Sequence, residues 1–258
     1  MTLNVEFLKS LTEKYGSYVE SFCDSDGKLP RMMDLKKTHT LHVVENAKAI
    51  AAGEGFDERT SLACEAAALL HDTGRYEQIR TYNTFRDSES VDHAKFSYDI
   101  VREKGWLDAL DEKDAILEAV RVHNMRLIPQ EVEGDLFAST IARVVRDADK
   151  LDIFRVLEDE IATNDWKNDC KAFWDLPVMA EPNTEVIRAI REKSPVNYQD
   201  IKTLADFILI QVGWIHNELN FKTSQDLCKK RNHLEFRRNF LHQISSSDEI
   251  DDICKLQN

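Results

Sequence analysis

At 258 residues, with 42% hydrophobic and 31% charged side chains, the chain can bury a large core and has the composition of an ordinary globular protein. A formal net charge of −13 excludes general affinity for nucleic acid or for an anionic membrane, because no large basic surface is available to displace counterions. A small anionic substrate stays open, since metal ions and a few local cations reverse the field inside a pocket.

Eight glycines and five prolines among long amphipathic stretches point to an all-α build, with no alternating β-branched series to compete. In chain order, the pattern predicts a helix over about Val5 to Phe22, then a loop from Cys23 to Pro30 rich in Asp, Ser, Gly and Pro. Next, Leu35, His39, His42, Val43, Asn46, Ala47 and Ile50 fall on one helical face by three- and four-residue steps. The Ala- and Leu-rich run Ser61 to Leu70 runs into His71-Asp72-Thr73-Gly74, and Gly74 is read as the residue that closes that helix in the left-handed conformation. Arg75 to Ser90 reads as a polar, irregular loop placed to touch a substrate. His93, Phe96, Ser97 and Ile100 line up in the following helix, Ile116, Ala119, Val120 and His123 in the next, and Ile141, Val144, Val145, Ala148 and Asp149 in the one after.

The segment Thr163 to Asp200 changes character, carrying Pro177, Pro182, Pro195, Trp166, Phe173, Trp174 and Tyr198. It reads as a connection packed by its aromatics, with a cap over the site as the alternative, and it contains a short helix at Thr184 to Lys193. Two closing helices, Ile201 to Phe221 and Ser224 to Ser245, complete the chain. The basic cluster Lys229-Lys230-Arg231 with Arg237-Arg238 reads as the solvated face of the last helix. His216, His233 and His242 show no comparable constellation and are taken as structural. The five cysteines have neither CxxC nor zinc-finger spacing and read as reduced thiols. No secretory signal is visible, and the apolar run Phe207 to Ile215 is too short to span a bilayer. A cytoplasmic protein without membrane attachment is the expectation, and a homodimer stays open.

Asp and His are costly to bury unless paired, hydrogen-bonded or metal-bound. Here several separate helices each offer such a residue on a buried face, and His71 with Asp72 sits at a helix C-terminus, whose carbonyls favour a nearby cation. Imidazole with carboxylate suits Mn, Fe, Ni, Co or Zn, and less exclusively Mg.

The order His39, then His71-Asp72, then Asp149 resembles the HD superfamily of metal-dependent phosphohydrolases, an all-helical fold, over about residues 34–158. Lys37-Thr38-His39-Thr40-Leu41-His42-Val43 is similar to the family's first motif, which makes His39 the ligand and leaves His42 a hydrogen-bonding residue. Among the aspartates of Arg146-Asp147-Ala148-Asp149-Lys150-Leu151-Asp152, Asp149 looks like the family ligand, with Asp147 and Asp152 in salt-bridge or ligand-orienting roles. Asp92-His93-Ala94 and Val122-His123-Asn124 resemble the subset that holds two metals. The resemblance implies one metal on His39, His71, Asp72 and Asp149, with Asp72 bridging to a second on His93 and His123.

Gly74-Arg75-Tyr76-Glu77-Gln78 and Thr84-Phe85-Arg86-Asp87 are similar to a little-characterised branch of these proteins. Thr73 stands where an aliphatic residue is common, and the absence of the glycine-tyrosine-proline motif argues against a cyclic dinucleotide substrate. The expected domain plan is one all-helical domain over 1–258, an HD core at about 34–158 with an N-terminal helix before it and a cap segment and C-terminal helices over 159–258.

The function implied is hydrolysis of a small phosphoester or nucleotide by metal-activated water, with Asp72 at its centre. Arg75 is a candidate to bind phosphate bidentately, an ion pair with Glu77 or a neighbouring acid being the alternative. Lys150 is a candidate to stabilise charge or to lie at the pocket edge. A diiron oxygenase and a non-catalytic nucleotide-binding protein are the competing readings.

Overall fold

The computed structural model describes residues 1–163 and 176–255. Among them the secondary structure is helical throughout, without a strand, as the composition and periodicity imply. Trp166, Phe173 and Trp174, aromatics on which the reading of a packed connection rests, lie outside the described residues. Contacts divide the chain into two compact units, Met1–Asp152 and Ile153 onward.

In the first unit, α1 (Val5–Glu20) starts where Asn4 accepts a hydrogen bond from Phe7 N–H and buries Leu11, Tyr15 and Val19. α2 (Arg31–Gly53) follows Pro30 and buries His39, Val43, Asn46, Ala47 and Ile50. The face found by helical spacing is therefore the core face, apart from His42, which is exposed. α3 (Glu58–Leu70), capped by Asp57, packs against α2 and α1. Its second half, Ala66 to Leu70, is buried on every side, which is why it carries no polar stripe.

Arg75 to Ser90 departs from the irregular loop expected of it. Gly74–Tyr82 forms α4, ended by Asn83 in the left-handed conformation at φ 53°. Tyr76 and Ile79, three residues apart, are buried together with Gln78, so a short amphipathic signal existed under a polar surface. Gly74 does not cap α3 either. It is the first residue of α4, and a Cβ there would sit 2.7 Å from Ser97 N and 2.9 Å from His93 O. The glycine is needed because α4 and α5 (His93–Glu103) touch backbone to backbone. Gly74 N–H donates to Ser97 Oγ at 2.8 Å, and Ser97 Oγ donates to His93 O at 2.8 Å.

α6 (Lys113–Val122) packs on α5 and α3, and the single turn α7 (Gln130–Glu133) leads to α8 (Leu136–Thr163). Asn46 Nδ2 donates to Ala148 O at 3.0 Å, fixing α8 against α2. Arg146 donates from α8 to the backbone carbonyls of Val122, His123 and Met125 at the end of α6. These two ties set the height of α8 against the helices that carry His39 and His123.

The second unit takes the C-terminal end of α8 and adds α9 (Thr184–Arg191), α10 (Leu204–Asn217), α11 (Lys222–Lys230), α12 (His233–Ile244) and α13 (Glu249–Cys254). Its core joins Val186 and Ile190 to Leu204, Ile208, Val212, Phe240, Leu241 and Ile253. α10 begins at a capping box of Thr203 and Asp206, three residues later than expected. The expected helix Ser224 to Ser245 is broken at Asn232, whose φ of 58° separates α11 from α12. The break turns Arg237 inward, so the basic cluster is not one solvated face: Arg237 is fully buried. No helix among the described residues is long and apolar enough to cross a membrane.

Candidate metal centre

Three helix ends and two helix faces converge in the first unit. The α3 chain leaves its last turn through His71, whose Nδ1–H donates to Ala68 O at 2.7 Å. Thr73, placed where an aliphatic residue is usual, donates from Oγ1 to Leu70 O at 2.9 Å, so its hydroxyl satisfies a helix-end carbonyl. His123, which ends α6, repeats the arrangement by donating from Nδ1 to Val120 O at 2.7 Å. His39 on α2 donates from Nδ1 to Asp152 Oδ2 at 2.7 Å, and His93 at the start of α5 pairs through Nδ1 with Asp87 Oδ2 at 2.5 Å. In all four rings the proton is committed to Nδ1, which leaves the Nε2 lone pairs directed at one another.

Asp72 lies between them, 2% exposed. Its Oδ2 is 3.6 Å from His39 Nε2 and 3.4 Å from His71 Nε2. Its Oδ1 is 3.6 Å from His93 Nε2 and 3.8 Å from His123 Nε2. Asp149 Oδ1 closes the first group at 3.0 Å from His39 Nε2 and 3.8 Å from His71 Nε2. All six residues named from the sequence as ligand candidates thus meet around one carboxylate. Three overlapping triads, His39–His71–Asp72, His71–His123–Asp149 and Asp72–His93–His123, present ligand atoms close enough to hold an ion.

The unpaired atoms test whether this set fits a metal. His39 Nε2, His71 Nε2 and Asp72 Oδ1 are buried without a hydrogen-bond partner. His93 Nε2 and His123 Nε2 stand 3.1 Å apart, and with both protons on Nδ1 these are two facing lone pairs. Buried acceptors left unsatisfied cost about 1–3 kcal/mol each, and this many in one place are what a shared cation resolves. Nitrogen and oxygen donors in this mixture suit a divalent transition metal.

The charges agree with that fit. Burial would raise the pKa of Asp72, but Lys36, His71 and Arg75 hold it well below the usual carboxylate range. Burial acts likewise on Asp149 and is outweighed chiefly by His39, 3.0 Å away. Burial and the Arg75 charge depress the pKa of His93, and burial with the neighbouring His93 and His71 depresses that of His123 well below the usual value. Burial and Lys36 oppose protonation of His39, yet the neighbouring carboxylates of Asp149 and Asp152 prevail and its pKa stands raised. The site therefore presents ionised acids and, at His93 and His123, neutral imidazoles.

Around this group, Asp152 takes His39 on one oxygen and the exposed His42 on the other, at 3.2 Å to His42 Nδ1. Asp147 is buried on α8. Arg75 makes its ion pair with Asp87 at 3.0 Å instead of Glu77, which Arg80 takes. Lys150, one residue beyond Asp149, is 7% exposed on α8.

Two participants were not found from the sequence. Lys36, three residues before His39 on the same helix, donates to Asp72 Oδ2 at 2.7 Å. Asp87, six residues before His93, is legible in the sequence only as the end of Thr84-Phe85-Arg86-Asp87. The three-residue step from Lys36 to His39 was readable. The Asp87 pairing was not, because it depends on the path of residues 83–92.

Residues 37–153 match the family model of the HD domain. These residues form an HD domain. The matched span begins on α2 before His39 and ends on α8 just past Asp152, so it encloses all six ligand candidates and leaves Lys36 just outside. HD domains form a superfamily of metal-dependent phosphohydrolases, and the His/Asp cluster of this HD domain has the donor set to hold such a metal. No curated protein and no solved structure matches the chain.

Proposed function

We propose that the chain hydrolyses a small phosphoester, nucleotides among the candidates, at divalent metal held by His39, His71, Asp72 and Asp149, with a second ion shared through Asp72 by His93 and His123. When bound, metal supplies Lewis-acid polarisation of the phosphoryl oxygens and a lowered pKa for the attacking water. The rest falls to the protein. Asp72 offers one oxygen to each histidine pair, so both halves of the site are registered on a single carboxylate.

The observation that carries the phosphoester reading is the state of Arg75. Its Nη1 donates to Gln78 Oε1 at 2.7 Å, Phe85 O at 2.8 Å and Asp87 Oδ1 at 3.0 Å. Its Nε is buried and unbonded, 3.5 Å from Asp72 Oδ1. Among the described residues no acceptor takes Nη2. One end of the guanidinium is therefore anchored while its Nε–Nη2 edge is left bare beside the centre, the edge that binds a phosphate bidentately. Lys36 flanks the other oxygen of Asp72, and both cations lie over the Phe85 ring, at 5.4 Å for Lys36 and 5.5 Å for Arg75. Two preset cations orient the phosphoryl group and neutralise its charge, which is most of what phosphoryl transfer requires. Lys150 adds charge stabilisation from the Asp149 side.

The test is phosphate release from a panel of phosphomonoesters and nucleotides by protein reconstituted with Mn, Fe, Ni, Co, Zn or Mg. Arg75→Lys should raise KM for the best substrate by about tenfold through loss of the bidentate edge. Inactivity across the panel with every metal overturns the reading. The division of Asp72 between two histidine pairs is also the arrangement a diiron oxygenase needs. Oxygen consumption with an iron-dependent EPR signal, in place of phosphate release, would favour that second function.

A further inference from the structure

We infer that Asp87 is a positioning residue that holds the second-metal histidine and the phosphate-facing arginine in one geometry. Its two oxygens do different work. Oδ2 accepts from His93 Nδ1 at 2.5 Å, and also lies 3.4 Å from His93 N and 3.5 Å from Asn124 Nδ2. Oδ1 accepts from Arg75 Nη1 at 3.0 Å and Gln78 Nε2 at 3.0 Å. Fixing His93 Nδ1 as the protonated nitrogen leaves Nε2 bare toward His123 and Asp72; anchoring Arg75 by Nη1 leaves its other edge bare beside Asp72.

Asp87 is 32% exposed on the side chain, yet the backbone that carries it is pinned at both ends. Gln78 Nε2 also donates to Ser90 Oγ at 2.8 Å and Val91 O at 3.1 Å, and Ser90 Oγ donates to Arg86 O at 2.8 Å. Asp92 then caps α5 through Ala94 N–H and Lys95 N–H. Gln78, buried on α4, is what ties this segment to the helix next to Asp72.

Only a residue with acceptors on both arms satisfies the side-chain donors of His93, Arg75 and Gln78 together. An amide of the same shape has one acceptor oxygen, so in Asp87→Asn either His93 or the Arg75–Gln78 pair faces an NH2 group. A merely space-filling role would tolerate that isosteric change. The inference rests on the metal-centre reading above, and outer carboxylates of this kind change metal affinity by about 10–100-fold.

The test is a Mn2+ titration of wild type and Asp87→Asn, followed by a titration of the loaded proteins with inorganic phosphate. The variant is expected to weaken one of two metal sites by about 10–100-fold, to leave the other within a few-fold, and to weaken phosphate binding. Unchanged metal and phosphate affinities overturn the assignment. Should the variant not fold, the wild type decides alone: 15N imidazole spectra of the metal-free protein must show His93 protonated on Nδ1, and protonation on Nε2 overturns it. Neither readout needs turnover, so Asp87 is tested even where the phosphoester panel returns nothing.

Discussion

The two units each bury a polar cluster, and the clusters differ in how completely they satisfy themselves. In the second unit, Arg237 spends every nitrogen. Its Nε and Nη2 donate to Gln211 Oε1 at 3.0 and 2.7 Å, its Nη1 to Glu158 Oε1 at 2.7 Å and His233 O at 2.8 Å, and its Nη2 also to Phe154 O at 3.1 Å. Glu158 Oε1 takes His233 Nδ1–H as well, at 2.7 Å, and His233 Nε2 is left as a single buried atom without a hydrogen-bond partner. In the first unit, His39 Nε2, His71 Nε2 and Asp72 Oδ1 are all buried without a hydrogen-bond partner. Burial alone does not mark a functional site. A cluster that closes around its own charge with one isolated acceptor to spare is scaffold, whereas one that leaves several acceptors converging on a common point is suited to a group the chain itself does not supply.

Substitutions should break this contrast in opposite directions. Asp72→Asn is expected to reduce phosphoester hydrolysis at least about 10^3-fold, since it removes the carboxylate shared by both histidine pairs. The melting temperature of its metal-free form should fall less than that of Glu158→Ala, because the amide still accepts from Lys36 Nζ while only the charge attraction of Lys36 and Arg75 is lost. Glu158→Ala should do the reverse, costing about 3–5 kcal/mol by stranding the buried Arg237 charge while metal binding in the first unit persists. Urea denaturation beside metal titration reads both. Equal loss of stability in the two variants would erase the distinction.

Smaller changes sharpen it. Gly74→Ala forces a Cβ into Ser97 N and His93 O and should destabilise the protein by about 1–3 kcal/mol, as overpacking does. Because the shift falls on the first turn of α5, metal affinity at His93 should drop with it. Glu112 gives the mildest case. Its carboxylate accepts from Leu3 N–H at 3.1 Å and Arg59 Nε at 2.7 Å. Burial would raise its pKa, but the Arg59 hydrogen bond and the Leu3 N–H hold it below the usual value. A depressed folded pKa means stability present above the unfolded pKa and lost as pH falls through the folded one. Glu112→Gln should therefore cost about 1 kcal/mol at neutral pH, with the gap to wild type closing below about pH 4. A gap constant with pH would refute the ion pair.

What was readable in the sequence follows the same division. His39, His93, His123 and Asp149 were found because helical spacing puts each on an apolar face, where a polar residue is conspicuous. The doublet His71-Asp72 stood out by its place at the end of an Ala- and Leu-rich run. The polar helix α4 hid behind Arg75, Glu77, Gln78 and Arg80, since only Tyr76 and Ile79 mark its buried face, and tertiary packing against α5 overrides its weak local pattern. Gly74 looked like a helix cap because a close backbone approach between α4 and α5 leaves no trace in local sequence. Arg237 read as surface for a related reason. Its distant partners come from two other helices, α8 and α10, and the Asn232 break that turns it inward is a single residue in the left-handed region.

Metal stoichiometry tests the central claim most directly. Elemental analysis of protein purified without chelator, and of the same protein after reconstitution, should give about two divalent metal ions per chain in wild type and fewer in Asp72→Asn. A wild-type protein that stays metal-free at saturating Mn, Fe, Ni, Co or Zn would contradict it, as would a metal content that Asp72→Asn leaves unchanged.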